Sequence, residues 1–550
     1  MTLASQAAAV PVEPVPIYRL KLRKIPTIRN SEHPVEAYER HHQAAVKRLY
    51  RFKRLPQPKD DFFLKRTIQR RQLIQDNPKL DKKTWIPLAS PEKIVPKFNG
   101  QERRAFSHHE NYKATNTTTS SEEAKQSNSG FATNAAAVAR PTATVAASGS
   151  NVDGFSQAAI DALNRNILTN SSSKLIQGGL NYIIESNDIG YLCEIQIGTP
   201  CQTFLMLMDT GSADTWVPST KCGQQRCGKH TALGDDVSST FRGINRQFQV
   251  TYGSGAVSGV LAADTMIIAG MTLNNHSMGV TLQESVQFSA SNVPFDGLMG
   301  LALGKLSNQG VPTPIESLQS AGILKNTILG IALGRVNDGI NNGELVFGQA
   351  DKAKIDASTT QTLRLSSSDG FWQVEMASVT VDGHDIVTGR QAILDTGTSL
   401  MIAPEADAIA FHKQIRGAAD IGNGMFSIPC TINQMVTMTF GKIAFQIDVR
   451  DLIFQPLTPD LKGECLSSLS AGTIKDDVTW LLGDSFLKNV YMTTNADNGT
   501  IQLSARTDVP GSSSAGKTAL DSTTVPMATD NSSKHQTNNN VPISQVRRRL

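Results

Sequence analysis

Two stretches of the sequence decide the fold: FLMLMDTGS at residues 204–212 and AILDTGTS at residues 392–399. In each, an apolar run typical of a buried β-strand ends in Asp-Thr-Gly, and a hydroxyl residue follows. A single Asp-Thr-Gly often marks only a turn, in which the Asp caps its own backbone and the Gly takes a positive φ. Two copies in matching surroundings, 186 residues apart, instead indicate a duplicated functional element.

A second repeated motif lies downstream of each Asp-Thr-Gly. The run Leu-Met-Gly ends at Gly300, 91 residues after Asp209, and Leu-Leu-Gly ends at Gly483, 88 residues after Asp395. The same order and nearly the same spacing in both halves predict two related lobes.

Secondary-structure signals between residues 178 and 508 favour strands. Short β-rich runs bounded by Gly, Asn, Asp and Pro follow one another through this region and predict an all-β body. The best helix candidates are PTPIESLQSAG at 312–322 and APEADAIAFHKQI at 403–415. The body therefore belongs to the all-β class, with few helices.

The two repeated aspartates permit a specific chemistry. If the lobes pack face to face, Asp209 and Asp395 meet at the seam, where two carboxylates about 3 Å apart share one proton because both cannot ionise cheaply. The ionised carboxylate can act as base toward a water molecule, while the protonated one donates to a carbonyl oxygen. The glycines allow the loops to approach closely, and the hydroxyls can orient the carboxylates.

Residues 178–508 resemble the pepsin family of aspartic endopeptidases over the whole body. The segments that carry the resemblance are YLCEIQIGTP (191–200), MDTGSADTWVPS (208–219), VTYGSGAVSG (250–259), VPFDGLMGLALG (293–304), ILDTGTSLMIAP (393–404) and WLLGDSFLKNVYMTTN (480–495). The resemblance implies a bilobal all-β fold whose cleft takes an extended protein or peptide substrate. It implies no metal and no organic cofactor.

The resemblance also implies roles for individual residues. Asp209 and Asp395 would be the catalytic pair. Four neighbours would support their carboxylates: Gly211, Ser212, Gly397 and Thr398.

A hairpin around Tyr252 is similar to the family's mobile flap. Tyr252 would be the flap tyrosine, Gly253 would offer its backbone to the substrate, and Trp216 would support Tyr252. Some fungal relatives that accept Lys before the scissile bond carry Asp after the flap glycine. This chain has Ser254 there, so we expect a preference for hydrophobic residues around that bond.

The chain has six cysteines and no paired CxxC arrangement of a zinc site. Their even number and short local spacings favour disulfides and thus a secretory compartment. The resemblance implies the pairs Cys222–Cys227 and Cys430–Cys465. Cys193 and Cys201 have no usual counterpart in the family, and the sequence leaves open whether they pair or stay free.

Charge divides the chain into regions. Residues 1–100 hold 21 Lys and Arg against 9 Asp and Glu, a balance of +12, and residues 178–508 hold 20 against 32, a balance of −12. We interpret 1–54 as a basic inhibitory pro-segment and 55–177 as a low-complexity linker. The lobes are assigned to 178–355 and 356–508, and 509–550 to a disordered polar tail.

The expected function is that of an aspartic endopeptidase made as a zymogen and active at acid pH. The expected setting is the secretory pathway, extracellular or vacuolar, with the protein a monomer and a glycoprotein. No signal sequence is evident in this chain, no stretch of about 20 apolar residues predicts a membrane span, and no nucleic-acid partner is expected.

Three other functions fit parts of the sequence. ILDTGTSL superficially resembles the phosphorylated-aspartate motif of ion pumps, but it lacks the Lys of that motif, and the pump reading leaves the repeat unexplained. A nucleic-acid binder would use the basic arm at 14–104, where no binding module is recognisable. A catalytically silent, peptide-binding relative is the main alternative, although both aspartates and both glycines are present.

Overall fold

A computed structural model describes residues 168–252, 255–290, 293–457, 463–509 and 516–517. The assigned pro-segment at 1–54, most of the assigned linker, Gly253, Ser254 and most of the polar tail lie outside these residues.

The described residues form 27 strands, with helices confined to short connections. The strands up to residue 347 are β1 (Leu168–Asn170), β2 (Gly179–Asn181), β3 (Ile183–Glu185), β4 (Gly190–Ile197), β5 (Gln202–Asp209), β6 (Thr215–Pro218), β7 (Arg242–Thr251), β8 (Ala256–Ile268), β9 (Met271–Glu284), β10 (Gly297–Gly300), β11 (Ile328–Ala332) and β12 (Glu344–Phe347). The remaining strands are β13 (Gln361–Arg364), β14 (Gln373–Val381), β15 (His384–Leu394), β16 (Met401–Ala403), β17 (Ala419–Gly422), β18 (Met425–Pro429), β19 (Val436–Phe440), β20 (Ile443–Ile447), β21 (Ile453–Pro456), β22 (Glu464–Ser467), β23 (Leu469–Ala471), β24 (Thr479–Leu482), β25 (Tyr491–Asn495), β26 (Thr500–Ser504) and β27 (Gly516–Lys517). The predicted all-β class is confirmed.

The α-helices of the described chain are short. They are α1 (Gln224–Cys227), α2 (Val286–Ser289), α3 (Pro314–Ser320), α4 (Glu405–Gln414) and α5 (Asp484–Leu487). Helices α3 and α4 are the two that the sequence predicted. Helix α3 starts in a capping box, in which Thr313 Oγ1 accepts from the N–H of Glu316 and Glu316 Oε2 accepts from the N–H of Thr313.

Each half of the body has its own large sheet, and the two sheets repeat one arrangement. The first has the strand order β1-β3-β4-β5-β10-β6-β9-β8-β7, and the second has the order β23-β16-β24-β15-β14-β19-β20-β27. In the first, β10 lies parallel to β5 and antiparallel to β6. In the second, β24 lies parallel to β15 and antiparallel to β16. The repeated sequence motifs therefore occupy matching strands.

A six-stranded sheet joins the two halves. Its order, β13-β26-β25-β11-β12-β2, places β11, β12 and β2 from the first half beside β25, β26 and β13 from the second. The division proposed after residue 355 thus does not separate two independent sheets. A smaller sheet, β17-β18-β22-β21, completes the second half.

Both ends of the body extend beyond the limits that the sequence indicated. Strand β1 lies upstream of residue 178 and pairs antiparallel with β3 through Leu168 and Glu185. At the other end, the backbone of Gly516–Lys517 pairs with β20. These segments are short, and their edge pairing uses backbone hydrogen bonds that composition does not reveal.

Two disulfides are present among the described residues. Cys222–Cys227 spans α1, and Cys430–Cys465 joins β22 to the segment after β18. Cys193 and Cys201 are both free: Cys193 is buried in β4, and Cys201 is exposed in the turn before β5.

No helix in the described part of the chain has the length and hydropathy needed to cross a membrane.

A buried ionic network links segments that are far apart in sequence. Asp451, which is 1% exposed, accepts from Arg335 Nη2 at 2.5 Å and lies 2.7 Å from Lys488 Nζ. Lys488 also contacts Asp188 at 3.0 Å, which brings the β3–β4 turn of the first half into the network. Although burial opposes ionisation, Arg335 and Lys488 hold the pKa of Asp451 below its usual range.

We predict that Asp451→Asn destabilises the protein by about 3–5 kcal/mol, because it leaves two buried cations without their shared anion. Thermal unfolding followed by circular dichroism measures the effect. Asp235→Asn is the control, since Asp235 pairs with Lys221 on the surface, where the two side chains are 60% and 66% exposed. Equal melting midpoints for the two variants would contradict the prediction.

Candidate active site

Asp209 and Asp395 occupy equivalent positions at the ends of two central strands. Asp209 is the last residue of β5, and Asp395 directly follows β15. They are 0% and 1% exposed. Strand β10 lies parallel to β5, and strand β24 lies parallel to β15. The chain continues from each of these strands behind the loop that begins at the neighbouring Asp, and this fixes where that loop turns.

Glycines make this crossing possible. A side chain on Gly300 would lie 2.6 Å from the backbone of Ala213 and Asp214, and one on Gly483 would lie 2.5 Å from Leu400 O. The N–H of Gly300 donates to Asp214 O at 3.0 Å, and the N–H of Gly483 donates to Leu400 O at 3.1 Å. The second repeated motif therefore ends in Gly because two backbones pass in contact there.

Two threonines tie the aspartate loops to each other. The N–H of Thr210 donates to Thr396 Oγ1 at 3.0 Å, and the N–H of Thr396 donates to Thr210 Oγ1 at 2.9 Å. Each hydroxyl in turn donates to a carbonyl of the opposite strand, Thr210 to Leu394 O at 3.0 Å and Thr396 to Met208 O at 2.9 Å. All four bonds are buried, so the two loops are held in one fixed relation.

This cross-link brings the carboxylates together. A side chain on Gly211 would lie 2.5 Å from Cγ and 2.8 Å from Oδ2 of Asp395, so the Asp395 carboxyl group rests directly against the loop of Asp209. Only glycine fits at this position. The sequence predicted that Gly211 allows the two loops to approach each other closely. The group that lies against Gly211 is the carboxyl group of the second aspartate, Asp395.

Each carboxylate receives the same pair of hydrogen bonds. Asp209 accepts from the N–H of Gly211 at 2.9 Å and from Ser212 Oγ at 2.5 Å. Asp395 accepts from the N–H of Gly397 at 2.9 Å and from Thr398 Oγ1 at 2.7 Å. These donors hold both carboxyl planes in a fixed orientation. Two buried carboxyl groups in this arrangement can hold one proton between them and act as an acid and a base together.

A third carboxyl group, which the sequence did not single out, lies in the same region. Asp484 at the start of α5 is 1% exposed, and neither of its carboxyl oxygens has a hydrogen-bond partner among the described residues. Burial raises its pKa well above the ordinary value, and although Lys488 opposes this, the charges of Asp395 and Asp209 add to it. Asp484 therefore favours its neutral form beside the aspartate pair.

Tyr252 lies at the tip of the β7–β8 hairpin. Its hydroxyl accepts from Trp216 Nε1 at 2.7 Å, and Phe288 packs edge-on against both rings at centroid distances of 5.5 and 5.4 Å. Trp216 thus contacts Tyr252. Phe288 was missed because an isolated aromatic in a short helix carries no sequence signal. Gly253 lies outside the described residues.

The tip end of this hairpin rests on the segment that follows β9. Ser285 Oγ accepts from the N–H of Ala256 at 3.0 Å, and the N–H of Ser285 donates to Ala256 O at 2.8 Å. The neighbouring Glu284 is 4% exposed; Thr281 Oγ1 donates to its Oε1 at 2.6 Å, and its Oε2 has no partner in the described chain. Burial raises the pKa of Glu284 to about 7; the Thr281 hydrogen bond opposes the rise, and the Asp296 charge adds to it.

The sequence analysis also missed the roles of Thr210 and Thr396. A signal was present, since Thr stands between Asp and Gly in both copies of the motif.

In the part of the chain that the structure describes, no group of three or more His, Cys, Asp and Glu side chains could hold a metal ion.

Comparison with known proteins agrees with this geometry. The sequence model of the family described as eukaryotic aspartyl protease matches residues 190–506. The probable aspartic-type endopeptidase CTSD of Arthroderma benhamiae is 34% identical over 321 residues, which cover 58% of this chain and 61% of that protein. Rhizopuspepsin-1 of Rhizopus niveus is 32% identical over 362 residues, covering 64% of this chain and 89% of that protein.

A bilobal all-β body with two buried Asp-Thr-Gly loops in contact at its seam defines the aspartic protease class. The chain belongs to the eukaryotic aspartyl protease family. The match spans about three-fifths of the length of the CTSD relative.

We predict that Glu284→Gln stabilises the protein near pH 7–8. Because the folded-state pKa of Glu284 is raised, its carboxyl group contributes most stability below about pH 4.5, and that contribution is lost as pH rises to about 7. The loss amounts to at most about 3 kcal/mol.

Melting temperatures measured from pH 4.5 to 8 test this prediction. The difference between Glu284→Gln and the parent protein should grow with pH, whereas Glu194→Gln, at an exposed position on β4, should follow the parent throughout. A difference that is independent of pH would show that the ionisation of Glu284 does not control stability.

Proposed function

We propose that this protein hydrolyses peptide bonds of protein substrates at acid pH, with a water molecule activated between Asp209 and Asp395. The observation that carries the proposal is the contact between the two aspartate loops, with the Asp395 carboxyl group against Gly211. The names of the relatives, several of which are aspartic-type endopeptidases, agree with it.

The proposed reaction begins with the two carboxyl groups sharing one proton. The ionised carboxylate takes a proton from the water as the water oxygen attacks the peptide carbonyl carbon. The protonated carboxyl group donates its proton to the carbonyl oxygen, which gives a neutral tetrahedral intermediate. The carboxyl group that took the water proton then donates it to the nitrogen, and the C–N bond breaks with its electron pair on the nitrogen. The other carboxylate takes a proton from a hydroxyl of the intermediate, which gives the carboxylic acid and the amine and restores the shared proton. The donors from Gly211, Ser212, Gly397 and Thr398 keep both carboxyl groups oriented through these steps.

The β7–β8 hairpin is proposed to act as a lid over the bound peptide. Tyr252 lies at its tip, from which it would close over the substrate and exclude water. The hydrogen bond from Trp216 Nε1 supports Tyr252 in one position. We propose a preference for hydrophobic substrate side chains near the scissile bond, because Ser254 stands where fungal relatives that accept Lys carry Asp.

We predict that Asp209→Asn and Asp395→Asn each lower the rate of peptide cleavage by about 10²–10⁴-fold, because neither variant retains a complete acid–base pair. Cleavage of a denatured protein at pH 3–5 measures the effect. Asp385→Asn, at an exposed position on β15, is the matched control and should keep full activity. Pepstatin, a mimic of the transition state, should inhibit the parent.

Two outcomes would refute the proposed activity. One is substantial cleavage by either dyad variant, normalised to folded protein. The other is a parent protein that binds pepstatin but never cleaves at any pH, which would identify a catalytically silent peptide-binding protein.

We also propose that the protein is made as a zymogen that its own basic arm keeps closed. The support is the charge difference, +12 over residues 1–100 against −12 over 178–508. Near neutral pH the acidic body attracts the arm. On acidification the carboxylates become neutral while Lys and Arg remain charged, so the attraction weakens and the dyad is exposed. We assign the inhibitory role to residues 1–54.

The same proposal places the protein in the secretory pathway, as a monomer acting outside the cell or in a vacuole. The two disulfides support this location, since structural disulfides persist in oxidising compartments.

We predict that the precursor is stable at pH 7 and shortens on acidification to a species that begins between residues 55 and 178. N-terminal sequencing after incubation at acid pH measures the cut, and the Asp209→Asn precursor is the control for self-cleavage. A peptide of residues 1–54 should inhibit the shortened enzyme at pH 6–7, and less so at high salt because salt screens surface charges. A full-length precursor that is active at acid pH and indifferent to the peptide would contradict the zymogen proposal.

A further inference from the structure

The turn between β25 and β26 presents an acceptor sequence for N-glycosylation on a rigid base. Asn498-Gly499-Thr500 has the Asn-x-Thr pattern, and Asn498 is exposed. Its own N–H donates to Asn495 Oδ1 at 3.1 Å. The preceding Asp497 accepts at 2.9 Å from both the N–H and Oγ1 of Thr327, which fixes the turn against β11.

A groove of about 420 Å³ lies beside this turn on the outer face of the six-stranded sheet, and Asn498 forms part of its rim. Its floor follows the strand register. One row runs Arg364, Thr500, Asn495 and Ile328 across β13, β26, β25 and β11. The neighbouring row begins with Thr362 and Gln502, where Gln502 Nε2 donates to Thr362 Oγ1 at 3.1 Å.

The chemistry of the groove fits a carbohydrate. Amide, hydroxyl and guanidinium groups on the floor match the hydroxyls of a sugar, and half-buried Ile328 offers an apolar surface to the C–H face of a ring. Small-molecule sites in proteins typically measure about 300–1,000 Å³, so the groove is large enough for the innermost sugars of a glycan.

We propose that Asn498 carries an N-linked oligosaccharide and that its inner sugars lie in this groove. In the modification, Asn498 Nδ2 forms a bond to C1 of the sugar. The C1–O bond to a lipid pyrophosphate donor breaks, the pyrophosphate leaves with the bonding electrons, and the amide loses one proton. The inference rests on the secretory location in the proposed function, and it does not depend on proteolytic activity.

Peptide mass spectrometry of the full chain, produced through the secretory pathway of a eukaryotic host, tests the modification. The peptide that contains Asn498 should carry a glycan. Thr500→Ala should abolish the glycan, and Thr500→Ser should retain it, because the transferase reads a hydroxyl at this position.

The acceptor sequences at Asn170 and Asn275, both exposed, serve as internal comparisons. Glycans at either of these with an unmodified Asn498 would overturn the proposal and leave the secretory location intact. Absence of glycan at all three would also overturn the proposal, and it leaves the secretory location to be judged separately. Loss of peptide cleavage in the dyad variants is a separate readout, so failure of the proposed activity is distinguishable.

Removal of the glycan from folded protein tests the groove. If the inner sugars lie on the sheet, the double variant Arg364→Ala/Gln502→Ala should leave the occupancy of Asn498 unchanged and speed endoglycosidase release severalfold. Arg242→Ala, an exposed arginine on β7, is the matched control and should not change the rate. Equal release rates for the double variant, the control and the parent would overturn the contact with the groove.

Discussion

The reciprocal hydrogen bonds between Thr210 and Thr396 are the constraint on which the rest of this structure depends. They join two loops that are 186 residues apart, and each loop uses the same two atoms, a backbone N–H and a threonine hydroxyl. Because the pattern is symmetrical, the arrangement that gives the polar groups of one loop their hydrogen-bond partners does the same for the other loop. The bonds are buried, so breaking them would leave polar groups without water or partner. The contact between the Asp395 carboxyl group and Gly211 follows from this cross-link.

The large sheets and the buried charges support that seam. Parallel strands β10 and β24 bring Gly300 and Gly483 against the backs of the two loops, which prevents the loops from moving away. The six-stranded sheet then joins the halves through backbone hydrogen bonds. The network around Asp451 adds ionic contacts between Lys488 of one half and Asp188 of the other. Such a seam can hold two carboxyl groups at a fixed separation, which an acid–base pair requires.

Buried titratable groups set opposite limits on the pH at which this fold is stable. Burial raises the pKa of Glu284 to about 7, so stability falls as pH rises from about 4.5 toward neutrality. Burial lowers the pKa values of His276 and His412 to about 4, so their contributions are lost as pH falls from about 6.5 toward 4. The contribution of Glu284 and those of the two histidines therefore oppose each other between about pH 4.5 and 6.5.

The sequence by itself determined the features that one segment encodes. FLMLMDTGS contains both the buried strand and the turn that ends it, so the local pattern was enough to predict Asp209 as a site residue. The repeat of that pattern at Asp395 then identified the second aspartate of the pair. Helix α3 was predictable for the same reason, because its capping box lies within four residues. Tertiary structure decided whatever depends on partners distant in sequence. The unpaired state of Cys193 and Cys201, the pairing of β1 upstream of residue 178, and the burial of Asp484 are of this kind. The physical reason is that hydrogen bonding and desolvation act through space, and a polar residue has the same sequence signature whether it faces water or another carboxyl group.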